Sequence, residues 1–280
     1  MQNITNKQIN TRFIIRSISF LKRFFLCILI MGFINAIKII VYPLFFKRLT
    51  KIKFNKKLFY YYPKYDQGVM SHFYSKNYFI KEGNNHKIKY ILDLGANIGV
   101  ETFRFAQFYP GCQIISVEPF KRNFNLLEKN FQNYHNVTLI NKPIWSSKTL
   151  LNSNIIDNSF ENIVYSEVVN NDSKKTNINS VESTTIQNIF EEYKLPFVDI
   201  LKMDCEGSEK FFFNNLPDNM LKNIKCIIIE VSDNQNELMM QSVLKKFMDI
   251  EFRFHIVGED IVLIRNDCDL SCHSVYGLEN

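Results

Sequence analysis

The chain alternates between short apolar runs and longer stretches whose apolar residues recur at helical spacing. "YILDLGA" at 90–96 reads as a buried strand, and "GVETFRFAQFY" behind it as a short helix with Phe103 and Phe105 to Phe108 near its inner face. "CQIISVEP" is a second strand, and "KRNFNLLEKNFQNY" a helix with Phe124, Leu127 and Phe131 at helical spacing. "NVTLINKPIW" supplies a third strand, while residues 146–183, rich in Asn and Ser, read as an insertion or irregular hairpin. Alternation then resumes. "TTIQNIFEEY" predicts a helix, "FVDILKMD" a fourth strand, and "SEKFFFNNL" a helix that stops before Pro217. "IKCIIIEVS" is a fifth strand, and "NELMMQSVLKKFMDI" a long helix. "EFRFHIV" and "DIVLIRN" close the pattern through "GED", a hairpin signal. Parallel β-α alternation ending in an antiparallel hairpin predicts an α/β fold, a Rossmann-like doubly wound sheet with helices on both faces.

The first sixty residues break this pattern. From Phe24 to Phe46 the chain reads "FFLCILIMGFINAIKIIVYPLFF", with Lys22 and Arg23 before it and Lys47, Arg48 and Lys51 after. Fifteen of these 23 residues are Ile, Leu, Val or Phe. At roughly −0.45 kcal/mol each they offer about −7 kcal/mol towards membrane insertion, against about +3 for Lys38. Asn35, Lys38 and Tyr42 fall on one stripe of a helix, which also suits a segment lying in the interface beside anionic lipid. A helix packed on the protein's own core is the alternative. The expected organisation is a basic arm over 1–60, with a membrane-associating helix at about 24–46, and a folded domain over 61–280.

Charge sharpens this division. Residues 1–60 hold twelve Lys or Arg and no acid, and the whole chain carries +6, which leaves the other 220 residues at −6. A nucleic-acid-binding domain carries its basic face on the folded body, so nucleic acid is not the expected partner. The six cysteines are scattered and mostly sit in apolar runs, as buried thiols do. Cys268, Cys272 and His273 lie close together without a second ligand pair, so no metal is expected there.

In a doubly wound sheet, ligands bind at the carboxyl ends of the strands, near the point where strand order reverses. Asp93 to Gly99 follow the first strand, Glu118 ends the second, Asp204 and Glu206 end the fourth, and Glu230 ends the fifth. "DLGANIG" places Gly95, Asn97 and Gly99 in a tight turn before a helix, where small residues let the backbone approach a ligand closely. Phosphate-binding dinucleotide sites use G-x-G-x-x-G, whereas this chain has G-x-N-x-G, and Glu101 in the first helical turn would repel pyrophosphate. A zwitterionic amino-acid portion suits it better. Glu118, nineteen residues past Gly99, is placed to accept hydrogen bonds from ribose hydroxyls. Ribose with an amino-acid tail and no phosphate describes S-adenosylmethionine (SAM), and with the terminal hairpin it predicts a class I methyltransferase.

"ILDLGANIG", "ISVEPF" and above all "FVDILKMDCEGSE" followed by "IIIEVS" resemble the FkbM-type methyltransferase family over roughly residues 88–266. The D-x-E-G element after the fourth strand is the most discriminating part. The resemblance implies a SAM-dependent enzyme methylating hydroxyl oxygens, often on sugars or on glycosylated and polyketide products. It implies that Asp93, Gly95, Asn97, Gly99 and Glu118 hold SAM, and that Asp204, Glu206 and Gly207 stand by the transferred methyl. The chain departs from the family's alanine-glycine-aspartate-like turn after the third strand, where it has "KPIWSS" and Ser146 stands in for the adenine contact. Methyl transfer needs the acceptor oxygen in line with the sulfonium and its proton removed as the bond forms. Asp204 or Glu206 could take that proton if mutual repulsion raises one pKa; alternatively Glu206 caps the next helix, or the pair holds a divalent cation.

These readings converge on a membrane-associated SAM-dependent O-methyltransferase whose acceptor is a hydroxylated carbohydrate of a glycan or glycolipid. SAM supply places the catalytic body in the cytoplasm. The rivals are a nucleotide-dependent oxidoreductase and a non-catalytic membrane-bound scaffold.

Overall fold

The structure, a computed structural model, describes residues 19–76, 78–155, 163–167, 180–205, 216–230, 247 and 251–274. The chain divides into two compact units, Met1–Lys76 and Asn77–Asn280.

In the first unit the predicted helix over 24–46 is not continuous. It runs helical over 19–31, breaks at Gly32, and resumes at Phe33–Ala36. Gly32 has φ 81°, which an L side chain rarely adopts and no right-handed helix contains. A π-helical turn at Ile37–Val41 and a 3-10 turn at Tyr42–Leu44, with Pro43 in it, finish the segment. Among the described residues no helix is long and apolar enough to cross a membrane. Strands Thr50–Phe54 and Lys57–Tyr61 form a hairpin through Asn55 and Lys56, both at positive φ as a type I′ turn requires. The polar stripe meets this hairpin. Asn35 Nδ2 donates to the carbonyls of Met31 and Lys53, both at 2.8 Å, Lys38 Nζ donates to Lys51 O at 3.0 Å, and Tyr61 OH donates to Lys38 O. Phe25, Leu29, Phe33 and Ile34 remain exposed, Leu29 at 80%.

The second unit is built on a seven-stranded sheet: β1 Tyr90–Leu94, β2 Gln113–Val117, β3 Val137–Ile140, β4 Val198–Met203, β5 Ile224–Glu230, β6 Phe252–Val257 and β7 Asp260–Arg265. Their order is β3-β2-β1-β4-β5-β7-β6. The first five are parallel, and β7 runs antiparallel to both β5 and β6. The expected sheet with its terminal antiparallel hairpin is therefore present.

Both faces are covered, so the strands read as nearly continuous apolar runs. Leu92, Leu94, Ile115, Val117, Leu201, Met203, Ile227 and Ile229 belong to one core cluster with Ile186, Ile189 and Phe190 of the Ile186–Glu192 helix. Their neighbours in the pleat, Ile91, Ile114, Ile200, Cys226 and Ile228, join Phe105, Ala106 and Tyr109 from the end of the Val100–Phe108 helix. Phe108, expected near the inner face of that helix, is exposed. Each such side chain contributes about 1.5–3 kcal/mol relative to exposure. Thr185 caps the Ile186–Glu192 helix by accepting the Asn188 N–H at 3.0 Å, which is worth about 1 kcal/mol.

Two elements go beyond the sequence reading. The Asn- and Ser-rich stretch contains a three-stranded antiparallel sheet, with Leu150–Ile155 paired to Ile163–Glu167 on one side and Ser180–Glu182 on the other. A further strand, Leu270–Ser274, follows β7 and pairs antiparallel with Tyr78–Glu82. The helices expected over "SEKFFFNNL" and "NELMMQSVLKKFMDI" lie outside the described residues.

Candidate functional site

β1 starts in the middle of the sheet. The chain winds outward through β2 and β3, then crosses to β4 on the other flank of β1. The switch point of the topology therefore lies between the carboxyl ends of β1 and β4, where open α/β sheets bind ligands. The turn leaving β1 is clamped from both sides. Gly95 N–H and Ala96 N–H donate to Val117 O at 3.0 and 2.9 Å, and Asp204 N–H donates to Leu94 O at 3.0 Å. Gly95 has φ 79°, and a Cβ there would stand 1.7 Å from the carbonyl oxygen of Asp204. At Gly99 (φ 94°) a Cβ would meet Phe131 and Leu127 of the Lys121–Phe131 helix at 2.4 and 2.7 Å. Both glycines thus make room for neighbouring protein, and Asn97 also sits in the left-handed region at φ 52°.

Glu118 closes the other side of the turn. Its two carboxylate oxygens accept the backbone N–H of Asn97 and of Phe120, each at 2.8 Å. Asn141 Nδ2 donates to the carbonyls of Glu118 and Pro119, tying the end of β3 to the end of β2. Burial pushes the Glu118 carboxyl up to about 7, although both backbone N–H groups favour its ionised form. Each oxygen retains a lone pair after its backbone bond, so two donor hydroxyls could be received side by side.

Between β1 and β4 lies a buried ionic cluster. Asp93 is fully buried; Thr102 Oγ1 donates to its Oδ2 at 2.5 Å, and Ser116 Oγ lies 2.9 Å from Thr102 Oγ1. Its other oxygen, Oδ1, has no hydrogen-bond partner among the described residues. Burial raises the Asp93 pKa, and Lys202 opposes that. Lys202, directly across the ladder from Asp93, is 2% exposed, and its Nζ lies 2.9 Å from Asp204 Oδ2. Burial alone would lower its pKa, but Asp204, Asp93, Glu230 and Glu101 together hold the ammonium well above the usual lysine range. Sequence reading passed over Lys202. The signal was present, since a lysine stands inside "VDILKM", a strand buried at all six positions.

The structure brings Asp93, Gly95, Asn97, Gly99, Glu118 and Asp204 into one contiguous place. Ser146, half-buried, follows the buried Trp145 beyond the end of β3 and makes no described hydrogen bond to that group. Glu206 and Gly207 lie outside the described residues, and with them the expected Asp204–Glu206 repulsion; what is described at Asp204 is its ion pair with Lys202. Glu101 does not stand as a bare charge at the start of its helix. Its carboxylate is bound by Arg104 Nη1 at 2.8 and 3.0 Å, so its charge is already compensated and does not by itself exclude pyrophosphate. Among the described residues no three His, Cys, Asp or Glu side chains are placed to share a metal ion.

These groups fit SAM. Glu118 offers paired acceptors for a ribose diol, Asp93 Oδ1 is an unfilled acceptor beside the turn, and the turn presents backbone rather than bulky side chains. A family model, the methyltransferase FkbM domain, matches residues 93–254, more than half of the chain. No curated protein sequence matches it. Among solved structures, precorrin-6Y C5,15-methyltransferase from Geobacter metallireducens GS-15 is similar at 10% identity over 65% of this chain and 80% of that one, with a TM-score of 0.37. The N-terminal domain of human METTL16 in complex with SAH is similar at 10% identity over 68% of this chain and 62% of that one, with a TM-score of 0.37. Aeropyrum pernix fibrillarin with natively bound S-adenosyl-L-methionine gives 13% identity, 64% and 66% coverage, and a TM-score of 0.38. The family match displaces the oxidoreductase reading. The chain belongs to the FkbM methyltransferase family, and its cofactor is S-adenosylmethionine.

Proposed function

We propose that the protein transfers a methyl group to a hydroxyl oxygen of a sugar in a glycan or glycolipid. SAM supplies the electrophilic methyl. Glu118 binds the ribose hydroxyls through the lone pairs left by its two backbone bonds, and Asp93 balances the positive charge of the amino-acid tail. The glycine turn 95–99 lets backbone approach the ligand, and Ser146 lies towards the adenine. Asp204, beside the turn, receives the acceptor's hydroxyl proton as the oxygen–methyl bond forms. Lys202 fixes the Asp204 carboxylate and offsets the charge of the carboxylates around it. Glu206 is the second candidate for that proton. The observation that carries this reading is the Lys202-held Asp204 carboxylate, packed by its own backbone against Gly95.

The enzyme acts at a membrane surface. Phe25, Leu29, Phe33 and Ile34, exposed beside a sequence dense in Lys and Arg, suit a segment lying in the interface, with the catalytic unit on the cytoplasmic side. The test uses the purified full-length chain, methyl-labelled SAM and membranes carrying lipid-linked glycans. Label recovered as an O-methyl sugar after acid hydrolysis, and lost with Asp204→Asn, is the expected result. Label that mild base releases as methanol would identify a carboxyl ester instead and overturn the sugar-hydroxyl reading. Protease digestion of the catalytic unit in sealed, oriented vesicles tests its side of the membrane.

A further inference from the structure

A second concavity lies in the first unit, and its chemistry differs from that of the strand ends. A cavity of about 420 Å³ is bounded by Lys38, Arg48 and Lys51 together with the rings of Tyr42, Phe46 and Tyr60. That volume lies within the ordinary range of small-molecule sites. Three cations therefore line one hollow. Among the described residues none of the three takes part in an ion pair, and residues 1–65 contain no Asp or Glu. The nearest acid in sequence, Asp66, is buried and accepts the Tyr62 N–H at 2.6 Å.

Two of the cations, Lys38 and Arg48, are held in place by neutral partners. Lys38 Nζ spends one of its three N–H bonds on Lys51 O at 3.0 Å. The Arg48 guanidinium lies 5.8 Å from the centre of the Phe46 ring, which in turn packs at 4.6 Å on Tyr42. Thr50 Oγ1 donates to Arg48 O at 3.2 Å, anchoring its backbone. Lys38, fixed by a carbonyl, and Arg48, fixed by a ring face, keep their charge uncompensated beside Lys51 in the lining, so an anion is the ligand the cavity favours. A guanidinium fork beside two ammonium groups suits a multiply charged oxyanion, and the three rings give apolar walls for the group esterified to it.

We propose that this cavity is a binding site for a phosphomonoester or diphosphate, carried either on a lipid headgroup or on a soluble molecule. The site stands independently of the methyl-transfer reading. Arg48→Gln/Lys51→Gln removes two of its charges. Lys56→Gln/Lys57→Gln removes two at the hairpin turn, outside the lining. Full-length protein in detergent is titrated calorimetrically with inorganic pyrophosphate. In parallel it is floated with phosphatidylcholine vesicles in which one lipid in ten is phosphatidic acid. At about 1 kcal/mol per charge, the cavity pair should weaken binding about thirtyfold, and the hairpin pair less than threefold. Loss of pyrophosphate binding in the cavity pair supports a site that takes soluble phosphate. The same loss seen only with vesicles supports a lipid headgroup. Equal losses in both pairs would mean diffuse surface charge. That result, no effect in the cavity pair, or no binding of either probe by protein whose tyrosine and far-UV circular dichroism spectra show both units folded overturns the proposal.

Discussion

Lys202→Met isolates the ionic cluster beneath the site. Lys202 is almost wholly buried, contacts Asp204 at 2.9 Å, and faces the fully buried Asp93 across the ladder. Methionine keeps the length and apolar contacts of the side chain but removes its charge. Deleting one partner of a buried ion pair costs about 3–5 kcal/mol, because the remaining charge stays desolvated. About a quarter of the Asp204 side chain remains exposed, so the lower end, about 3 kcal/mol, is expected near pH 8. Domain stabilities run to about 5–15 kcal/mol, so this is a large share.

The sign with pH follows from Asp93. Burial already raises its pKa and Lys202 lowers it, so the variant's Asp93 holds its proton to still higher pH. Between the unfolded value near 4 and the raised native value, the native state binds more protons than the unfolded state, and stability falls as pH rises. In Lys202→Met that window extends upward. The gap between variant and wild type should therefore be small near pH 4 and widen towards pH 8. Trp145, buried and the chain's one tryptophan, reports unfolding of this unit in denaturant. Lys202→Arg, which keeps the charge, should show no such widening. A Lys202→Met deficit below about 1 kcal/mol, or one equal at pH 5 and pH 8, would refute the counter-ion role.

The ligand contacts make further demands. If ionised Glu118, with its carboxyl near 7, receives the ribose hydroxyls, SAM affinity should rise about tenfold from pH 6 to pH 8, with proton release on binding. Calorimetry in buffers of differing ionisation heat measures this; an equally steep rise in Glu118→Gln would assign it to another group. Gly95→Ala places a Cβ against Asp204 O at positive φ and should cost more than about 3 kcal/mol, read by denaturant midpoint. A loss under 1 kcal/mol would mean the turn relaxes freely. At the opposite end of β4, Asp199 is fully buried, accepts the N–H groups of Lys89 and Tyr90, and lies 2.8 Å from both His86 and Lys225. Asp199→Asn should therefore lower stability by about 3 kcal/mol while leaving SAM affinity unchanged. Weakened SAM binding in folded Asp199→Asn would contradict that separation.

How much was legible depended on where the forces act. β1, β2, β4 and β5 are buried on both faces, so their apolar runs announced them, and their end positions followed from topology. The roles of Gly95 and Gly99 were only half visible. A turn signal shows in sequence, but the backbone of Asp204 and the rings behind Gly99 are long-range neighbours. The ion pair that neutralises Glu101 was readable at i,i+3 spacing. The partnership of Lys202 with Asp93 was not, since it depends on which strands lie side by side. The strand Leu270–Ser274 carries a short polar pattern, "LSCHS", whose pairing is decided by Tyr78–Glu82 far upstream. In the amino-terminal unit, apolar content suggested one long helix. A single glycine conformation and the hydrogen-bonding needs of Asn35 and Lys38 divided it and turned its polar stripe to the hairpin.

That late strand sets a timetable for biosynthesis. Glu82 pairs with Leu270, 188 residues downstream, so the ribosome makes one edge long before the other. At about 5–20 residues per second, the segment Tyr78–Glu82 waits roughly ten to forty seconds for its partner. During that interval it is an open edge able to pair with another nascent chain. A stop codon shortly before residue 270 would make the delay permanent, so nonsense truncations there should enter aggregates although every strand of the main sheet has been made.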